Sequence, residues 1–375
     1  MPTSSNLNQR QSELHARAVV AAMQAYQPGK PVSEAQRELG IEQFIKLASN
    51  ENPLGPSPVV AKAIADAIPE IHRYPDANGF YLKRKLAEHH GVAEECITLG
   101  AGSNEILELV ASAFLDHESS AVYSEYAFLV YALAVARSGA TAIVTPAVNF
   151  AHDALAIADA VTADTKVIYL ANPNNPTGTY INHQSFIALL NKVPASVLVV
   201  LDEAYAEYVE CGDYPDGVSL LADYPNLLVT RTFSKAYGLG GMRVGYSMST
   251  PEVADLLNRV RPPFNVSALS LVAAEAALQD DDYLQRSVAT NRAGMDQLIQ
   301  GFSKIGVDAI DSIANFITVK VGDAAAVNAS LLQQGVIVRP VANYVMPDHL
   351  RITIGLEQEN ARLLEVLGSI VGSGS

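Results

Sequence analysis

Two hydrophobic patterns alternate along this chain. Short Val/Ile/Leu runs, such as residues 197–201 and 227–229, are apolar at every position, while the stretches between them space apolar residues three and four apart. A run buried on both faces suits a strand of a covered parallel sheet; the wider spacing suits a helix. Read this way, the chain predicts helix 79–90, strand 96–99, helix 104–115, strand 120–123, helix 127–137 and strand 140–145. Strand 166–170, helix 183–191 and strands 196–202, 227–231 and 244–248 follow. This order is α/β, a mostly parallel sheet with helices on both faces. Helices over 251–259 and 266–303, broken at Asp280-Asp281-Asp282, lead to a second pattern. Strands 316–321, 337–339 and 350–354 with helix 324–334, closed by helix 357–370, predict a smaller C-terminal α/β domain. The boundary falls near residue 260. Ahead of the alternation come a loose tail, an Ala-rich helix over 13–25 ended by Pro28-Gly29, a strand over 44–48 and a turn-rich loop over 49–56. Ser57 then reads as an N-cap with Pro58 at the first helical position.

Composition narrows the function classes. The 375 residues are 49% hydrophobic, ample for a large core, and carry a net charge of −15. That balance argues against a nucleic-acid or anionic-membrane surface. Two cysteines, Cys96 and Cys211, exclude a disulfide framework and suit a reduced cytoplasmic setting. The polar first residues show no signal peptide, and no apolar run approaches the ~20 residues of a spanning helix. The histidines lack metal-site spacing, so no metal is expected. Gly-x-Ser-x-Gly and P-loop patterns are missing as well.

The candidate chemistry gathers where predicted strands end, which is where open α/β sheets bind ligands. Strand 227–231 runs into Thr232-Phe233-Ser234-Lys235, a glycine-rich loop and Arg243. Thr232, Ser234 and Arg243 suit a phosphate, and Lys235 could capture a carbonyl. Asp202 directly follows apolar strand residues, where an unpaired carboxylate is costly; it calls for a cationic partner or serves as an N-cap. Tyr205 stands three residues on. Asn175 lies in the proline-bounded loop Asn172-Pro173-Asn174-Asn175-Pro176. Ala101, Gly102 and Ser103 sit between strand 96–99 and helix 104–115, an anion-binding position, without the third glycine of a dinucleotide fingerprint. Arg351 alternates with apolar neighbours and can grip a carboxylate through two hydrogen bonds. Arg339 is a second cation nearby, or one half of a salt bridge.

The stretch Ser234-Lys235-Ala236-Tyr237-Gly238-Leu239-Gly240-Gly241-Met242-Arg243-Val244-Gly245 resembles the lysine motif of pyridoxal-phosphate (PLP) aminotransferases of fold type I. Within them it is most similar to the histidinol-phosphate aminotransferases, from about residue 26 to 370. The resemblance implies an arm over 1–50 packed on a small domain (261–375), and a large PLP-binding domain over 51–260. It makes Lys235 the covalent partner of PLP and the proton carrier. Asp202 would pair with the ring nitrogen, and Tyr205 and Asn175 with the phenolic oxygen. Ala101, Gly102, Ser103, Thr232, Ser234 and Arg243 would hold the cofactor phosphate, with Tyr126 stacked on the ring. Tyr74 would reach the neighbouring subunit's phosphate, implying a homodimer with shared active sites. Tyr26 and Arg339 would bind a substrate phosphate, Arg351 a carboxylate, and the loop carrying Asn52 would wall the substrate side. The implied reaction moves the amino group between L-glutamate and imidazole-acetol phosphate in histidine biosynthesis. Transamination of phenylalanine or tyrosine, or decarboxylation of a phosphorylated amino acid, stays open.

Overall fold

The computed structural model describes residues 15–23 and 31–372. The chain enters through helices α1 (Ala18–Ala22) and α2 (Val32–Leu39) and strand β1 (Ile45–Lys46). Helices α3 (Pro58–Ala67) and α4 (Phe80–His90) lead into β2 (Ile97–Gly100). The alternating part runs α5 (Ser103–Phe114), β3 (Ser120–Ser124), α6 (Leu129–Ser138), β4 (Thr141–Thr145), then the hairpin of β5 (Ala147–Val148) and β6 (Ala151–His152). It continues with α7 (Ala154–Asp159), β7 (Thr165–Ala171), α8 (His183–Lys192), β8 (Leu198–Asp202), β9 (Leu227–Thr232) and β10 (Gly245–Met248). Helices α9 (Pro251–Val260), α10 (Ala268–Ala277) and α11 (Asp281–Lys304) precede β11 (Asp308–Ile310) and β12 (Phe316–Lys320). Last come α12 (Ala324–Gln333), β13 (Val336–Ile337), β14 (Arg339–Pro340), β15 (His349–Thr353) and α13 (Glu357–Val371).

The central sheet has the order β2-β10-β9-β8-β7-β3-β4. Its strands are parallel except β10, which runs antiparallel to both β9 and β2. The segment between β9 and β10 holds only a 3₁₀ turn, so it folds the chain back instead of crossing over on a helix. Successive residues of a strand face opposite sides. Val199, Leu201 and Val229 therefore join one apolar cluster, Leu198, Val200 and Leu228 the other. Both faces are dry, which explains the unbroken apolar runs in the sequence.

A second, antiparallel sheet has the order β11-β12-β15-β14. Beside it, β1 pairs in parallel with β13. The strand expected over 337–339 is split: Val336–Ile337 pair with β1, whereas Arg339–Pro340 pair with β15. The helix expected over 13–25 is confined, among the described residues, to Ala18–Ala22: Met23 is already extended, and Arg17 gives no capping bond. The expected break near Asp280 is a true helix start, with the Asp280 carboxylate accepting from the Tyr283 N–H. Ser57 caps α3, accepting from the Val59 N–H. Among the described residues no helix is long and apolar enough to cross a membrane.

Candidate active site

The carboxyl ends of β7, β8 and β9 open into one cavity of about 210 Å³. Asp202 is the last residue of β8 and only 4% exposed. Its Oδ2 accepts from the Tyr131 hydroxyl at 2.9 Å and its Oδ1 from the Thr230 hydroxyl at 3.1 Å. Burial pushes the carboxyl's pKa up; the two hydroxyl donors pull it back.

Lys235 lines the same cavity, three residues beyond β9. Its ammonium donates to the Ser49 carbonyl at 3.2 Å and lies 5.7 Å from the Tyr205 ring centre. Desolvation, then the positive charge of Arg351, bring it down to about 8. A neutral amine is therefore available near neutral pH, as carbonyl capture requires. The Tyr205 hydroxyl accepts from Asn50 Nδ2 at 2.9 Å, and burial pushes it up to about 12. Arg351 Nη1 donates to Asn175 Oδ1 at 2.6 Å, and its Nη2 to the Ala48 carbonyl at 2.8 Å.

At one end of the cavity, the Thr232 hydroxyl donates to Ser234 Oγ at 3.0 Å, and Arg243 Nη1 reaches the same oxygen at 3.2 Å. Arg243 Nη2 donates to the Ala101 carbonyl at 3.2 Å. Gly102 takes φ +85°, and a Cβ there would lie 2.3 Å from Arg243 Nη2. The glycine thus lets the guanidinium approach the N-terminus of α5, whose N-cap offers no side chain. Hydroxyls, a guanidinium and a helix N-terminus make an anion cradle.

Ser103, Asn175, Asp202, Tyr205, Thr232, Ser234, Lys235, Arg243, Arg339 and Arg351 all line the cavity. Other expected positions differ. The Ala101 N–H is committed to Glu105 Oε2 at 2.6 Å, so Ala101 serves the cradle through its carbonyl; Asn104 lines the cavity instead. Tyr126 stands outside the lining, because its left-handed backbone (φ 56°) turns it toward Phe150; Phe128, two residues on, lines the cavity. Asn52 is also displaced. It is spent on bracing its loop, donating to the Ala236 carbonyl at 2.8 Å and to Ser287 Oγ at 2.6 Å. Asn50 fills the wall in its place. Tyr74 is 84% exposed and stacks on Phe264 away from the cavity. Tyr26 lies outside the described residues. Sequence reasoning also passed over Ser49 and Tyr344, which carry no motif of their own.

A buried acid ending β8, a lysine just beyond β9 and an anion cradle between β9 and the N-terminus of α5 suit a cofactor enzyme of amino-group chemistry. The family model for aminotransferase class I and II matches residues 42–367. The chain belongs to this family. The aminotransferase is 56% identical over 355 residues to a Pseudomonas fluorescens protein named histidinol-phosphate aminotransferase 2, covering 94% of this chain and 96% of that one. It is 50% identical over 357 residues to histidinol-phosphate aminotransferase 1 of Nitrosococcus oceani, covering 95% and 96%. Among solved structures it is similar to histidinol-phosphate aminotransferase from Sinorhizobium meliloti in complex with pyridoxal-5'-phosphate. The TM-score there is 0.89 at 28% identity, over 97% of this chain and 100% of that one. The fold is thus fold type I, as the lysine motif implied.

Proposed function

We propose that this aminotransferase uses pyridoxal 5'-phosphate to exchange the amino group between L-glutamate and imidazole-acetol phosphate, a step of histidine biosynthesis. The observation that carries this reading is the division of positive charge within one cavity. Arg243 with its hydroxyls lies at one end, while Arg339 and Arg351 lie on the elements β14 and β15. One phosphate cradle is left to the cofactor, and a separate cationic wall remains for a substrate phosphate or carboxylate. The names of the relatives point the same way.

The donor set suits the cofactor: a lysine amine, a buried carboxylate and an anion cradle all line one cavity. When bound, pyridoxal phosphate supplies an aldehyde that captures the substrate amine and a ring that draws electrons from the substrate Cα. Lys235 Nζ would be the covalent partner of the cofactor aldehyde and, once released, the base placed to carry the Cα proton. Asp202 accepts from the ring nitrogen; Asn175 and Tyr205 hold the ring hydroxyl. Phe128, in place of Tyr126, would pack against the ring. Ser103, Thr232, Ser234 and Arg243 hold the phosphate, with Asn104 beside them. Arg351 takes the carboxylate of glutamate or 2-oxoglutarate, and Arg339 the substrate phosphate.

The same reading makes the enzyme a cytoplasmic homodimer with shared sites. It divides the chain into a cofactor-holding domain (51–260) and a smaller one (261–375), with the arm 1–50 on the latter. The apolar side chains of Ile71, Tyr74, Phe80, Tyr81 and Phe264 are exposed, supporting a second copy that covers them and receives Tyr74 at its own phosphate cradle. Cys96 and Cys211 are both free thiols.

The test is kcat/KM for histidinol phosphate and for phenylalanine, in wild type and Arg339→Ala. Wild type should prefer histidinol phosphate, and the variant should lose on the order of a hundredfold on that substrate alone. Equal losses on both substrates, or a wild-type preference for phenylalanine, overturn the assignment. Carbon dioxide release from a phosphorylated amino acid points to a decarboxylase instead.

A further inference from the structure

The acid of the cavity is held from behind. Tyr131 is fully buried, and its hydroxyl donates to Asp202 Oδ2 at 2.9 Å. Thr230, on the neighbouring strand, donates to Oδ1 at 3.1 Å. Tyr131 is itself fixed: its ring stacks on Tyr169 at 5.0 Å with an interplanar angle of 11°. The Tyr169 hydroxyl in turn donates to the Leu107 carbonyl at 3.0 Å. Tyr131 lies on α6, three residues after Phe128, so a single helical turn supplies one aromatic to the cavity and one to the back of the acid.

We propose that Tyr131 is a positioning residue: with Thr230 it orients the Asp202 carboxyl group so that its cavity-facing lone pairs receive the cofactor's ring N–H. This rests on the reading of the cavity as a pyridoxal-phosphate site. A carboxylate has about four acceptor positions across its two oxygens. The Tyr131 and Thr230 hydroxyls, one on each oxygen, fix the plane, the Ala204 N–H adds a third donor, and acceptor capacity is left toward the cavity. Burial alone favours the protonated acid, and the hydroxyl donors oppose it by stabilising the anion. Removing the tyrosine donor makes the carboxylate more basic. The single proton shared between the ring nitrogen and Asp202 then shifts toward the oxygen, and the ring loses positive charge. No other proton or electron moves.

The experiment compares binding of pyridoxal phosphate with binding of an analogue whose ring nitrogen is replaced by carbon, to the apo forms of wild type and Tyr131→Phe. Phenylalanine retains the ring stacked on Tyr169, and thermal melting of the apoproteins checks the fold. The variant should bind pyridoxal phosphate about tenfold more weakly, because an Asp202 no longer held in plane makes a poorer charge-assisted hydrogen bond to the ring N–H. Its affinity for the nitrogen-free analogue should stay within about twofold of wild type. Thr230→Val removes the other donor and should give the same selective loss, so the idea is testable even if Tyr131→Phe melts early. An equal loss for both ligands, or no loss for pyridoxal phosphate, overturns the inference. Wild type binding the two ligands equally overturns the assignment of Asp202 itself, and the role of Tyr131 with it.

Discussion

Glu207 offers the sharpest test of how burial and charge compete behind the site. Arg231 lies on β9 between Thr230 and Thr232, and its Nε and Nη2 donate to Glu203 Oε2 at 2.9 and 2.7 Å. Glu203 directly follows Asp202, so this pair ties together the two strand ends that carry the acid and the lysine. Glu207 is a second acid on the same guanidinium, 3.9 Å from Nη1, with its side chain 8% exposed. Its Oε2 has no hydrogen-bond partner among the described residues. Burial raises it from the ordinary glutamate value of 4.5 to about 7, Arg231 offsetting only part of the effect. Between those values the folded protein binds more protons at this site than the unfolded chain does. Stability therefore falls as pH rises from 4.5 to about 7 and stays reduced above that. The interval from 4.5 to about 7, at about 1.4 kcal/mol per pH unit, is worth roughly 3 kcal/mol. Glu207→Gln keeps the shape and removes the charge. Urea unfolding should find the variant roughly 2–3 kcal/mol more stable than wild type at pH 8, with the gap closing toward pH 5. A variant less stable than wild type at pH 8 refutes the reasoning, because Arg231 would then be gaining more from its second acid than burial costs.

Three further outcomes are expected. Lys235, brought down to about 8 by desolvation and by Arg351, should combine with pyridoxal phosphate at a rate that rises with pH to a midpoint near 8. Arg351→Met should move that midpoint upward in stopped-flow absorbance; an unmoved midpoint denies Arg351 its influence on the amine. A Cβ at Gly245 would lie 2.5 Å from the Ser103 backbone nitrogen and 2.7 Å from the Gly102 carbonyl carbon, both in the phosphate cradle. Gly245→Ala should lower stability by about 1–3 kcal/mol and weaken cofactor binding, and a wild-type melting temperature counts against it. Val345 is 83% exposed and holds φ 62°, a conformation that a β-branched residue adopts only under strain. Val345→Gly should stabilise by about 0.5–1 kcal/mol, the relief of strain exceeding the added freedom of the unfolded chain; destabilisation in urea refutes it.

What the sequence disclosed follows from how local each signal is. Strand β8 is apolar up to Asp202, and β7 and β9 each carry an apolar run, because both faces are covered, and the groups ending them stand beside motif residues. Lys235, Asp202 and the turn before α5 were legible for that reason. The antiparallel insertion of β10 was not, since an apolar strand reads the same in either direction. The pairs Tyr126/Phe128 and Asn50/Asn52 were not separable either: each offers two similar side chains two residues apart, and only tertiary neighbours choose between them. Asn50 meets Tyr205 and Thr353, while Asn52 meets Ala236 and Ser287. The switch of 336–340 from one strand partner to another depends on β1, nearly 300 residues upstream.

Two non-glycine residues with left-handed backbone line the cavity. Asn50 and Arg243, both in the lining, hold φ 54° and 52°. At both, surrounding hydrogen bonds hold the conformation. Arg243 is held by Ser234, the Gly240 carbonyl and the Ala101 carbonyl. Asn50 is held by its N–H to Thr353 Oγ1 at 2.8 Å, its side chain to Tyr205, and its carbonyl accepting from Asn315 at 3.0 Å. Thr353 lies on β15 and Tyr205 follows β8, so the strained asparagine joins the two sheets. The bond from Arg351 on β15 to Asn175 beyond β7 does the same. The polar groups that join the sheets here are thus largely the groups that line the cavity. Substitutions aimed at the chemistry, Asn50→Ala or Arg351→Ala among them, therefore loosen the contact between the sheets as well, and their effects on turnover and on melting temperature should move together. Lys235→Ala, which removes an amine that among the described residues gives one bond, to the Ser49 carbonyl, should abolish turnover while leaving melting of the apoprotein nearly unchanged.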